Sequence, residues 1–249
     1  MEMAEQGCSR IAVLDVARGV ALLAMASFHF TYDLQFFGLV PGGTTATLPW
    51  AIYARLIAGS FFFLAGASLW LGHGRGIRWA AFWWRFARIV AGAVLVTSAT
   101  YAVDRSSYVF FGILHSIAMA SLIGLAFLRV PIALTLSVAA FAIAAPSFLR
   151  TGAFDTPWLG WLGLANYGIR SVDFEPLFPW IAPFLAGIAA ARIADKAGVL
   201  ACMRQKGMNG PVPATLGWAG QHSLLVYLLH QPVLIALAWA FAGTTTSMG

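Results

Sequence analysis

Apolar residues fill the chain in windows of about 20 positions, the length a helix needs to cross a hydrocarbon core. Short polar or Gly/Pro-rich stretches separate these windows. The pattern predicts spans over Ile11–Phe30, Trp50–Leu71, Trp84–Val103, Tyr108–Leu128, Val130–Leu149, Pro176–Ile193 and Ala219–Phe241. No room is left for a soluble domain, so residues 1–249 read as a single all-α domain, a polytopic bundle of about seven transmembrane helices. Tails are expected at 1–10 on the cytoplasmic side and 242–249 on the outer side. No internal repeat, low-complexity segment or inverted duplication suggests a secondary transporter.

Composition agrees with this pattern. The chain is 60% hydrophobic and 10% charged, with a mean hydropathy of +0.80, whereas soluble domains carry about 25% charged residues. With the N-terminus in the cytoplasm, only Arg55, Arg105, Arg150 and Arg170 of the 15 Lys and Arg residues fall outside, as the positive-inside rule asks. The net charge of +6 is then a topology signal and no argument for nucleic acid. Ala24-Met25-Ala26 has the form of a signal-peptide cleavage site, but Asp15 and Arg18 interrupt the region before it and apolar residues continue through Phe30, so cleavage is not expected. Cys8 and Cys202 are too few for a disulfide framework and fall on the reducing side.

The polar residues inside these windows need explaining. In VALLAMASFHFTYDLQFFG, Val20 to Gly38, His29 and Asp33 stand four residues apart and share a helix face if the first helix reaches that far. An imidazole held by a carboxylate suits a general base; the same pair can simply pin two helices. Asp15 and Arg18 are three apart near the inner end of that helix. They can pair with each other, or Arg18 can join other cations around an anionic cofactor. Such cations occur in GHGRGIRWAAFWWRFARI, with Arg75 and Arg78 in a glycine-rich turn and Arg85 and Arg88 on the opening turn of the next helix. Arginine forks fit phosphate oxygens, and a basic Trp-rich loop also fits anionic headgroups.

Further candidates are scattered. His115 is expected about two turns into the fourth span, Asp173 and Glu175 just before the sixth, and His222, His230 and Gln231 in the last span, where Pro232 frees backbone carbonyls. The five histidines lie at unmatched depths, which argues against bis-histidine haem, and no ligand cluster has metal spacing. Trp158, Trp161, Asn166, Tyr167 and Arg170 in the longest outer segment could grip a sugar face, but read better as an interfacial belt.

The opening RIAVLDVARGVALLAMASFHFTYDL, the FFFLAGASLWL end of the second span, FGILHSIAMA, DFEPLFPWIAPFLAG and the closing HSLLVYLLHQPV together resemble the bacterial branch of the heparan-alpha-glucosaminide N-acetyltransferase catalytic-domain family. The resemblance runs from Arg10 to about Val233 and rests on several motifs in order. It implies a multi-pass enzyme of a bacterial-type inner membrane that moves an acyl group, usually acetyl, from acetyl-CoA in the cytoplasm to a sugar or glycoconjugate hydroxyl or amine outside. Membrane lipids and the glycoconjugate are the implied partners, no metal or haem is expected, and a homo-oligomer is left open. His29 is then the candidate base or acyl carrier, supported by Asp33 and His115. Arg18, Arg75, Arg78, Arg85 and Arg88 would meet the CoA phosphates, while Asp15, Asp173, His222, His230 and Gln231 line or support the path. The alternative is a non-catalytic membrane protein, a small-solute transporter or a scaffold subunit, in which the same polar residues line a path.

Overall fold

The computed structural model describes residues 11–205 and 208–246. The expected tail at 1–10 with Cys8 and Arg10, Lys206, and the last three residues of the expected outer tail lie outside these residues. The described chain is all-α, and its elements are α1 (Ala12–Phe36), α2 (Leu48–His73), α3 (Trp79–Val103), α4 (Ile113–Phe127), α5 (Ile132–Phe148), α6 (Leu177–Lys196), α7 (Val199–Gln205), α8 (Pro211–Gln221) and α9 (Ser223–Thr246). Short 3₁₀ turns lie at Thr44–Ala46, Gly152–Phe154 and Gly160–Leu162. Helices α1, α2, α3, α6 and α9 are long and apolar enough to cross a membrane, while α4 and α5 are shorter apolar helices.

α1 and α9 run past their expected ends, to Phe36 and Thr246, and three further boundaries differ from the expected spans. The fourth helix starts at Ile113 instead of Tyr108, because the preceding residues are extended beside the segment before α6. Val172 N–H donates to the Ser107 carbonyl (2.8 Å), Glu175 N–H donates to the Phe111 carbonyl (3.0 Å), and Phe111 and Phe174 form an isolated parallel bridge. The expected last span is broken at His222, whose φ of −102° and ψ of 27° end α8 before α9 begins, so Ala219 belongs to α8. α3 opens at Trp79 rather than Trp84, which moves Arg85 and Arg88 onto its second and third turns.

The chain forms two compact units, divided within α2 and α6. The first takes residues up to Ile57 and from Ile193 onward. Here α1 packs on α8 and α9, and its contact with α8 is made through glycines. A Cβ on Gly19 would run into the Leu216 carbonyl, and one on Gly220 would run into the Asp15 carbonyl. Lipid tails are as apolar as the side chains they would replace, so close backbone packing carries much of the attraction between such helices. Near the middle of α1, Tyr53 Oη donates to the Ala24 carbonyl (3.2 Å) and lies 2.8 Å from Ser27 Oγ. Gln35 Oε1 accepts the Thr45 N–H (3.1 Å) and fixes the loop that follows.

The second unit, Ala58–Arg192, uses the same device. Gly66 on α2 meets the Phe184 carbonyl of α6, and Gly187 on α6 meets the Phe63 carbonyl of α2. Phe62, Leu69, Phe184, Leu185 and Ile188 are fully buried around this contact. Arg192 is buried too. Its Nη1 donates to the Val130 and Phe127 carbonyls and its guanidinium lies 5.2 Å from the Trp70 ring centroid, so this cation caps the end of α4.

Candidate functional site

α1 continues past Phe30 to Phe36, which puts His29 and Asp33 on one helical face. That face meets α9. Asp33 is 4% exposed, and its Oδ1 accepts from Gln231 Nε2 at 2.8 Å. The His29 ring instead meets the His230 ring, centroids 5.1 Å apart and planes at 59°. The expected support of His29 by Asp33 is thus replaced by two contacts across the helix pair, because the short aspartate side chain is taken up by the amide of α9. Three buried atoms of this cluster, Asp33 Oδ2, Gln231 Oε1 and His230 Nε2, have no hydrogen-bond partner among the described residues. A carboxylate and an amide oxygen accept hydrogen bonds, so what this part of the cluster lacks is donors.

The remaining candidates fall elsewhere. Arg18 Nη1 donates to Asp15 Oδ1 at 2.5 Å, the i,i+3 ion pair the sequence allowed. Arg75 and Arg78 are exposed in the turn after α2, Arg85 is half-buried and Arg88 exposed on α3. Arg88 lies 5.7 Å from the Trp84 centroid, and Trp79, Trp83 and Trp84 are exposed beside it, as interfacial anchors are. The turn is pinned by His73, a residue the sequence reading passed over. It is buried, and its Nδ1 accepts the Arg78 N–H at 3.2 Å, while Arg78 Nε donates to the Gly72 carbonyl (3.1 Å). Its place between two glycines, five residues before an arginine, was the available clue.

His115 sits in the first turn of α4, not two turns in, and both its nitrogens are engaged. Nδ1 accepts the Gly112 N–H (3.3 Å), which leaves the ring proton on Nε2, 3.4 Å from Thr97 Oγ1. That hydroxyl in turn donates to the Val109 carbonyl (2.9 Å). The chain of bonds secures the start of α4. A cavity of about 200 Å³ lined by His115 and apolar side chains of α3 and α4 has little else polar in it. His222 is an exposed cap whose Nδ1 bonds the Trp218 carbonyl (2.9 Å) and whose ring lies 4.8 Å from that of Trp218, tilted by 33°. Among the described residues, no group of three or more His, Cys, Asp or Glu side chains is placed to hold a metal ion.

Asp173 and Glu175 lie together in the extended segment before α6. Asp173 Oδ2 accepts the Ile113 N–H (3.3 Å), and burial raises its pKa against that bond. Glu175 is pushed up to about 8, first by burial and then by the Asp173 charge, with the Trp180 side-chain hydrogen bond opposing. A raised carboxyl pKa means that the fold prefers the protonated form. Stability from Glu175 is therefore full below about pH 4.5, the group's ordinary value, and is lost as pH climbs through about 8. Melting temperatures in detergent should fall across that window, and Glu175→Gln, which keeps an acceptor for Trp180, should flatten the fall and leave only what Asp173 contributes. An unchanged slope in the variant would refute this.

A sequence model of the family described as heparan-alpha-glucosaminide N-acetyltransferase, catalytic, matches residues 10–232. No curated protein and no solved structure matches the chain. The matched segment takes in α1, the glycine-rich turn after α2, and the His230–Gln231 pair of α9. Since it covers most of the 249 residues, the chain belongs to the heparan-alpha-glucosaminide N-acetyltransferase catalytic family.

Proposed function

We propose that this protein is a membrane acetyltransferase that moves the acetyl group of acetyl-CoA to a hydroxyl or amine of a sugar or glycoconjugate. The observation that carries the proposal is the cluster of His29, Asp33, His230 and Gln231, brought together by two apolar helices inside the family match. Polar groups set within membrane helices are costly and usually serve a path or a reaction. In this proposal the chain is one domain crossing a bacterial inner membrane seven times, by α1 to α6 and α9, with the N-terminus, α7 and α8 on the cytoplasmic side. His29 and Asp33 then lie toward the outer face, where the acceptor arrives.

The donor substrate would be met at the inner face by Arg75, Arg78, Arg85 and Arg88, whose forked donors suit its phosphates. Bound acetyl-CoA supplies the activated thioester. The chain's residues bind its phosphates, admit the acceptor and manage one proton. His29 is the catalytic residue of this scheme, as base or as acyl carrier. We leave His115 out of the chemistry, since both its nitrogens are engaged, and His222 also, as an exposed cap.

The test is direct. Purified protein in detergent should transfer labelled acetyl from acetyl-CoA to an amino-sugar or sugar acceptor. Acetyl-CoA alone should raise its melting temperature, since a ligand at 100 times its Kd stabilises by about 2.7 kcal/mol. The Arg85→Ala/Arg88→Ala variant should insert normally and lose that protection. Absence of both transfer and protection in the wild type would sink the proposal; lost insertion of the double variant would mean that these arginines set orientation instead.

A further inference from the structure

The cluster between α1 and α9 contains a second histidine whose protonation the geometry fixes. His230 Nδ1 is hydrogen-bonded to the carbonyl of Tyr227, one turn back on α9. A carbonyl oxygen only accepts, so Nδ1 must carry the proton. The neutral ring then has its lone pair on Nε2. That nitrogen is buried with no partner among the described residues, on a ring packed against His29. His29 has no comparable tether among the described residues; its ring is held by ring contacts with Phe28 and His230. A base needs a set tautomer, a fixed orientation and an accessible lone pair, and His230 meets the first two through its own helix.

From this we infer that His230 Nε2 is the base that takes the acceptor's proton, with Asp33 and Gln231 as the residues that position the acceptor, and with His29 left to face the acyl group. The inference rests on the acetyltransferase function proposed above. In the step, the acceptor's O–H or N–H proton passes to His230 Nε2 as its oxygen or nitrogen bonds to the thioester carbonyl carbon. The C–S bond then breaks, and the departing CoA sulfur takes the proton back from the His230 imidazolium, giving the acetylated acceptor and free CoA thiol. Nε2 ends as it began.

The orphan atoms also define the acceptor's chemistry. Asp33 Oδ2, Gln231 Oε1 and His230 Nε2 are all hydrogen-bond acceptors, and leaving such groups buried and unmet is costly. The ligand that satisfies them brings several donors on adjacent atoms, the reacting O–H or N–H for His230 and neighbouring hydroxyls or amines for Asp33 and Gln231. A polyhydroxylated acceptor fits this requirement, and a simple alcohol with one donor does not.

The experiment combines a spectroscopic and a kinetic reading on the full chain. In ¹⁵N-histidine-labelled protein, the resonance that His230→Asn removes should report a ring protonated at Nδ1 at neutral pH. His230→Asn keeps a short amide donor for the Tyr227 carbonyl but has no basic nitrogen. It should retain thermal protection by acetyl-CoA and lose transfer by about 10²–10⁴-fold, and imidazole added to His230→Ala should restore part of the rate. A ring protonated at Nε2, or wild-type transfer by His230→Asn, would overturn the assignment while leaving the enzyme standing. If the wild type itself transfers nothing, the enzymatic function fails and this assignment fails with it. Equal kcat/KM for a polyol and for a monohydric alcohol would overturn the acceptor's predicted chemistry.

Discussion

His29→Ala is expected to lower acetyl transfer by about 10²–10³-fold, the scale on which a single group facing the reacting acyl carbonyl contributes, while thermal protection by acetyl-CoA stays as in the wild type. The expectation combines two observations. The cations suited to the donor belong to the turn after α2 and to α3, whereas His29 contacts Phe28 and His230, so removing its ring leaves donor binding intact. The ring also lies on a part of α1 where ionisable residues face polar groups of another apolar helix. Truncation removes a side chain that is half-buried and not tied into a backbone cap, so a modest fall in melting temperature is expected and a collapse is not. Initial rates with purified protein, read beside its melting curve, check both parts. A normally folded His29→Ala protein with wild-type turnover would remove His29 from the mechanism.

The largest structural effect is expected at the crossing of α2 and α6. Gly66→Ala and Gly187→Ala each add a single methyl, but that methyl would overlap a carbonyl of the facing helix, Phe184 for Gly66 and Phe63 for Gly187. Backbone cannot swing away as a side-chain tip can, so the helices must separate and the packing of Phe62, Phe184 and Leu185, all fully buried, is disturbed with them. Overpacking typically costs about 1–3 kcal/mol, occasionally more, and these sites belong at the top of that range because both surfaces are main chain. Gly59→Ala on the same helix supplies the contrast. Its added methyl would lie 3.9 Å from the nearest ring atom of Trp180, an ordinary contact, and alanine is a better helix former by about 0.8–1.0 kcal/mol. Melting in detergent should therefore drop clearly for Gly66→Ala and Gly187→Ala and hold or rise for Gly59→Ala. Equal melting of all three would show that the close crossing is not what holds this unit together.

Much of the secondary structure was legible in the chain because a helix in lipid must satisfy its backbone internally and present apolar side chains. Helices α1, α2, α3 and α6 follow from that, within a few residues at most ends. The misses have local causes. The apolar run at Tyr108–Gly112 looks like the first turn of a span, yet its backbone pairs with residues 172–175 and with the Thr97 and Thr100 hydroxyls, partners that no local pattern reveals. His222 interrupts a run of good helix formers, and the break between α8 and α9 is stabilised by its bond to the Trp218 carbonyl.

By itself the sequence determined that the chain is built of apolar helices and that His29 and Asp33 share a face of the first, since both follow from the spacing of residues along one helix. It also carried the family's motifs in order. Only the tertiary structure decided what that face meets. Gln231 stands 198 positions from the Asp33 it binds, and His230 comes against His29 because α1 and α9 pack with a particular rotation and depth. Helix periodicity sets where side chains lie around one axis, but what that face meets is set by how the helices pack, as in the close approach of α8 to α1 at Gly19 on Leu216 and Gly220 on Asp15. For that reason His115 and His230, alike in the sequence as histidines in apolar runs, part in the fold, one closed into a helix cap and the other left with an open nitrogen inside a polar cluster.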